Sequence, residues 1–394
     1  MSLQLKNNQK IINILDKIIL YNLYIFTLGL ATSKSLISIG MGLSIIFWVI
    51  KILMTSDYKF YKSRLFYPVI TFIIAILVSG IDLWEFVILD EASKFIFAIT
   101  IFFLIINEIK DEKEIKKLFF ISLVSITIAA SYAFYQYHIL NYNRAEGFML
   151  SLAFAGFLSI FLMFTISYLF WGKKNIYYKL ISFFLTLFFL LNLLYSKSRG
   201  AWLGFLAGIL SLTWVKNKKL IVVVLIVIIV VSIFLPDVYI NRFKSIFNLS
   251  TNRSNLTRLS LWKGSLYMFK DNLVNGVGFG KFQNSFERNY NFDNINTTVH
   301  AHNNFFQFAA ETGIIGLISL LWLFFSILKL LYKKYKIFRN KNKWDLFILS
   351  TLAGVIMFSV QGLTEYNIGD YEPLFLFWFL IALNISIFRN IRVN

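Results

Sequence analysis

Residues 219–236 read KLIVVVLIVIIVVSIFLP. From Leu220 to Val231 no side chain carries a polar atom. The stretch has the length, roughly 17–25 residues, that carries a helix across the hydrocarbon core of a bilayer. Moving outward on the same ruler gives about twelve spans, near 18–33, 35–53, 66–83, 92–108, 117–137, 148–171, 178–195, 200–215, 219–236, 304–328, 345–363 and 372–388. The expectation is an all-α polytopic membrane protein. Composition agrees: 58% of the 394 residues are hydrophobic, whereas soluble domains run at roughly 45–50%. The chain has no cysteine, which excludes disulfides, thiol nucleophiles and Cys-based metal sites.

The net charge of +19 would suggest nucleic acid if it lay on one soluble face. It is spread instead over short connections, where Lys and Arg set topology. The second connection and its rim carry Lys51, Lys59, Lys62 and Arg64. The fourth carries Lys110, Lys113, Lys116 and Lys117, the sixth Lys173 and Lys174, the eighth Lys216, Lys218 and Lys219. The tenth runs from Lys329 to Lys343 and is the densest. The third, with Asp82, Glu85, Asp90 and Glu91, is acidic, and the eleventh carries Asp370. Basic loops stay in the cytoplasm, so both termini are expected inside. The basic, polar start to Lys10 leads into apolar sequence without a small-residue cleavage site, which fits a retained first helix.

Three regions follow: 1–236 with spans one to nine, an extracytoplasmic loop over 237–303, and 304–394 with spans ten to twelve. The loop is the one long connection. Within it, 254–270 has Leu259, Trp262, Leu266 and Phe269 on one helical face, which predicts an amphipathic helix across the mouth of the bundle, capped by Ser254 or Thr257.

Candidate chemistry gathers on the outer side. His300 and His302 stand in HAHNN (300–304), where the loop returns to the membrane. Imidazole titrates near neutrality and suits a general base or acid; interfacial hydrogen bonding and a His-x-His metal site are the other uses. The metal reading lacks an evident third ligand. Arg199, in SKSRGAWLG (196–204), offers a planar fork that matches phosphate oxygens, or a headgroup anchor. Arg258 lies on the expected amphipathic helix, with Arg242, Arg253 and Lys263 nearby in sequence. Cations outside the membrane run against the usual bias and point to an anionic ligand. Arg144, in RAEG (144–147), and Glu365 belong to the same side. GVGFG (276–280) lacks a following Lys-Ser/Thr and reads as backbone turning rather than a phosphate loop. Gly313 and Gly316 allow close helix packing.

Three segments together resemble the O-antigen ligase and polymerase superfamily of bacterial envelope enzymes: SRGAWLG (198–204), TRLSLWKGSLYMFKDNLVNGVGFGKF (257–282) and HAHNNFFQFAAETGIIGLI (300–318). RAEGFMLSLA (144–153) resembles a further element of that family, with Leu150 and Ser151 where the family has Pro-Asn. The resemblance implies a multi-span, GT-C-like glycosyltransferase bundle in the cytoplasmic (inner) membrane. Such enzymes take a glycan from an undecaprenyl diphosphate carrier and pass it to an acceptor hydroxyl, without metal, ATP or other cofactor. It implies that Arg199 and Arg258, with Arg144 beside them, bind the diphosphate, and that His302, or else His300, activates the hydroxyl. Ligation of O-antigen onto lipid A–core, as in lipopolysaccharide biosynthesis, is the leading expectation. Joining of carrier-linked repeat units by a polymerase is the alternative. A transporter or flippase would need charged residues deep in several spans, and few are present.

Overall fold

The computed structural model describes residues 2–55, 63–80, 86–172, 175–293, 295 and 300–390, with side chains omitted for 2–8 and 86–90. Lys59, Lys62, Asp82, Glu85, Lys173 and Lys174, used above to orient the loops, lie outside the described residues. Among the described residues every regular element is helical. The first nine are α1 (Ser2–Thr32), α2 (Lys34–Thr55), α3 (Phe66–Val78), α4 (Phe86–Glu108), α5 (Glu112–His138), α6 (Ser151–Trp171), α7 (Ile176–Tyr195), α8 (Arg199–Lys216) and α9 (Leu220–Phe234). Then come α10 (Asp237–Lys244), α11 (Arg253–Asp271), α12 (Phe282–Ser285) and one π turn (Phe286–Tyr290). The chain closes with α13 (Asn304–Phe338), α14 (Asp345–Gln361) and α15 (Tyr371–Asn390).

Each of the twelve expected spans falls on its own helix. Among the described residues seven helices, α1 from Gln9, α2, α5, α6, α7, α13 and α15, are long and apolar enough to cross a membrane. α3, α9 and α14 are apolar but shorter, at 13, 15 and 17 residues. α4 carries Glu91 and Lys94 near its start, and α8 begins on Arg199 and ends on Lys216.

Burial sorts the helices into centre and rim. Of the apolar window of α15, 89% is buried, against 28% in α2 and α7. A helix apolar and buried all round belongs to the middle of a bundle, so α6, α14 and α15 form the core, with α1, α4, α5, α8 and α13 packed around them. The opening stretch, α9, buries none of its residues and packs beside α8. An aliphatic surface of that kind is at home in lipid, not water.

α13 is broken at Gly313, whose backbone has φ 61° and ψ −157°. A break frees backbone groups that the helix would otherwise pair, and they need partners. The segment after α11 supplies them. Val277 N–H donates to the Ala310 carbonyl at 2.9 Å, Gly278 N–H to the Glu311 carbonyl at 3.0 Å, and Ile314 N–H to the Leu273 carbonyl at 2.8 Å. Gly276, with φ 70°, is pressed against the Glu311–Thr312 backbone, where a Cβ has no room. GVGFG is thus the turn that lets the loop splice into the break in α13, and its glycines do not line the cavity described below.

α11 matches the expected amphipathic helix in extent but not in facing. Its buried side is Asn255, Ser260, Leu261, Gly264, Ser265 and Met268, while Leu259 and Leu266 are exposed. Small side chains let it lie close on α13 and the π turn: Gly264 sits against Phe286. Its cap is Asn252, whose side chain accepts the Asn255 N–H. Ser254 is occupied elsewhere, accepting from Arg258.

Candidate functional site

The floor of the site is set by α8 lying on α14. Gly200, Gly204 and Gly208 recur every four residues along α8 and face Thr364, then Gln361 and Met357, then Met357 and Ala353. Small residues at this spacing let two helix backbones approach closely. The contact brings Arg199, the first residue of α8, next to the α14–α15 connection that holds Glu365.

The HAHNN segment is fastened to that same connection. Asn303 caps α13 by accepting the Phe305 and Phe306 N–H groups, and its amide donates to the Leu363 carbonyl at 2.8 Å. Asn304 N–H donates to the Gly362 carbonyl at 2.8 Å, and its side chain donates to Asn367 Oδ1 at 2.7 Å. Trp262 of α11 donates its indole N–H to the Ala301 carbonyl at 3.1 Å. These bonds place His302 Nδ1 3.0 and 3.2 Å from the two carboxylate oxygens of Glu365. The two residues are 63 apart in sequence.

Cations form the facing wall of a cavity of about 410 Å³. Arg144, Lys197, Arg199, Arg242 and Arg258 line it together with His302 and Glu365. Arg144 is held there because its loop is pinned. Ala145 N–H donates to the Tyr195 carbonyl at 3.1 Å, and the Gln136 amide pairs with both backbone groups of Gly147. Arg199 donates to the carbonyl and hydroxyl of Ser245 at 2.8 and 3.0 Å. Arg258 donates to the Thr364 carbonyl at 3.1 Å and to Ser254 Oγ at 2.9 Å, and lies 3.9 Å from Glu365.

The electrostatics follow from five cations facing one pair of acid and imidazole groups. Burial lowers the Arg258 guanidinium from its ordinary value; Glu365 raises it and Arg144 lowers it again. Burial also lowers Arg242, with Arg144 and Arg258 adding to the effect. Both stay cationic, but each charge is held at a cost that an anion would relieve. Burial works to raise Glu365, yet the hydrogen bond from His302, with His302, His300 and Arg258 close by, outweighs it and holds the carboxyl below its usual range. Burial takes His300 down to about 4, so it is neutral near pH 7. Burial pushes Asp370, which does not line the cavity, up to about 7, helped by Glu365 and Glu372.

Of the residues expected from sequence, Arg144, Arg199, Arg258, His302 and Glu365 meet at this cavity. His300 stands behind them, its ring 4.3 Å from that of His302 and absent from the cavity wall. Lys197 escaped the sequence reading, and Arg242 entered it only as a neighbour of Arg258. A left-handed, non-glycine Lys197 (φ 51°) at the start of the SRG turn carries no sequence signal. Glu365 also supplies the third ligand that the sequence lacked for a metal, since His300, His302 and Glu365 offer atoms within 4.8 Å of one another. The surrounding cations and the standing His302–Glu365 hydrogen bond oppose a dication there.

Comparison with known proteins adds a family to these residues. The chain is 24% identical over 253 residues to the teichuronic acid biosynthesis protein TuaE of Bacillus subtilis (strain 168), covering 61% of this chain and 50% of the relative. It therefore spans about half the length of that curated relative. The family model described as O-antigen ligase matches residues 184–321. That matched interval holds Arg199, Arg242, Arg258, His300, His302 and all three sequence motifs, so residues 184–321 are similar to the O-antigen ligase family.

Proposed function

We propose that this protein is a metal-independent membrane glycosyltransferase that moves a glycan from a polyprenyl diphosphate to an acceptor hydroxyl at the outer face of the cytoplasmic membrane. The observation that carries the reading is the cavity in which five cations face a His–carboxylate pair. An ionised Glu365 accepts a hydrogen bond from Nδ1–H of His302 and leaves Nε2 with its lone pair. Nε2 takes the proton of the acceptor hydroxyl as its oxygen bonds to the sugar C1. The bond from C1 to the phosphate oxygen breaks, and its electron pair leaves on the diphosphate. Arg199, Arg258, Arg144 and Arg242 stabilise that growing charge, and the diphosphate in turn relieves their mutual repulsion. The loop over 237–303 lies outside and both termini inside, as the basic connections imply.

The leading acceptor is lipid A–core, as for an O-antigen ligase with an undecaprenyl-diphosphate-linked donor. A second reading, joining of repeat units on the carrier, is favoured by the relative whose name ties it to teichuronic acid biosynthesis. One experiment separates them. Purified protein in proteoliposomes is given undecaprenyl-diphosphate-linked glycan with and without lipid A–core. Glycan on lipid A–core supports the ligase, and longer carrier-linked chains without it support the polymerase. No consumption of donor under either condition would contradict both.

A further inference from the structure

We propose that His300 is a positioning residue: its Nδ1 holds the His302 backbone in the conformation that sets the His302 ring against Glu365 and the cavity. The proposal rests on reading His302 as the base.

His302 has φ 48°, in the left-handed region that side chains other than glycine rarely adopt. Such a backbone persists only where its surroundings hold it. Ala301 is anchored on both sides, its N–H donating to Gln307 Oε1 at 2.7 Å and its carbonyl accepting from Trp262. The His302 N–H donates to His300 Nδ1 at 3.2 Å. The His300 ring thereby bridges over Ala301 and closes the turn.

Three further observations fit a brace rather than a reacting group. His300 is not part of the cavity wall, whereas His302 and Glu365 are. Its Nδ1 is engaged as an acceptor, and its Nε2 lies 3.9 Å from Glu365 Oε1, beyond hydrogen-bond reach. The ring is wedged between His302 at 4.3 Å and Tyr366 at 5.6 Å. The charged groups that act on it are Glu365, Lys94 and Arg258, beside His302, and its burial keeps it neutral, as an acceptor Nδ1 must be.

The test compares His300→Asn and His300→Ala in the full-length protein in lipid nanodiscs. Asparagine can accept from the N–H two residues on, as in an Asx turn, but is no base. The first readout is hydrogen exchange of the peptide over 300–304, which does not depend on any reaction. The second is transfer, with kcat and donor KM separated. The expected result is wild-type protection and most of the wild-type turnover in His300→Asn. In His300→Ala, protection is lost and kcat falls about tenfold to hundredfold with donor KM unchanged. Wild-type protection in His300→Ala overturns the brace. So does a folded His300→Asn as inactive as His302→Ala, since His300 would then carry a proton itself. If wild-type protein transfers nothing, the functional reading fails, and the exchange result still decides the brace.

Discussion

A carboxylate on Nδ1–H fixes the tautomer and orientation of an imidazole, which presents Nε2 as a base. Here Glu365 does that for His302, and its own carboxyl is held ionised by the same partners. The arginines do not share one role. Among the described residues the Arg199 side chain hydrogen-bonds to Ser245, while Arg258 ties α11 to the α14–α15 connection through Ser254 and Thr364. Arg199→Ala is therefore expected to lower kcat/KM by about a hundredfold or more at near wild-type thermal stability. Arg258→Ala should lose a similar activity and also a measurable part of its unfolding temperature. Steady-state transfer beside a melting curve checks both. The pH dependence follows from His300. Its folded pKa, about 4, lies below the ordinary 6.5. A depressed pKa gives stability that is present above the unfolded value and is lost as pH falls through the folded one. Wild-type protein should thus lose up to about 3 kcal/mol between pH 6.5 and 4 that His300→Asn does not lose, read as a difference in melting temperature across that window.

Among the elements, the break in α13 is a joint with little room. Gly276 and Gly313 both have positive φ, and each backbone touches the other's segment. Gly276→Ala is expected to cost about 2 kcal/mol or more from strain alone, seen as a lower unfolding temperature, while an exposed substitution such as Lys263→Ala stays near wild type. The twelve apolar helices were legible in the sequence, because apolar length is a local property, whereas α10 and α12, short and inside the long connection, were not. The buried side of α11 was not. Its contact is made by Gly264 and Ser265, so ranking faces by large apolar side chains selected Leu259 and Leu266, which are exposed. The glycine repeat Gly200, Gly204, Gly208 was in plain view at four-residue spacing, but only the partner helix shows what it packs against. The pairing of His302 with Glu365 spans 63 residues and two helices, and no local pattern announces it; sequence placed both on one side and stopped there.

At the scale of the whole molecule, cations, base and carboxylate are expected to face the outside. The chain has no cysteine, so single introduced cysteines report sidedness cleanly. Lys263→Cys on α11 should react with an impermeant maleimide in intact cells, and Lys341→Cys after α13 only once the membrane is opened. The reverse pattern would invert the topology and move the site to the cytoplasm. Sequence supported this orientation through loop charge alone, whereas the inward convergence of Arg144, Arg199, Arg242 and Arg258 on one cavity needed the packing of four separate segments. The most direct test of the account is glycan transfer from undecaprenyl diphosphate in proteoliposomes, wild type beside His302→Ala, with donor binding measured on the same samples. The account predicts donor bound equally by both and transfer slowed by about a hundredfold to ten-thousandfold in the variant. Transfer at the wild-type rate by a folded His302→Ala would contradict it.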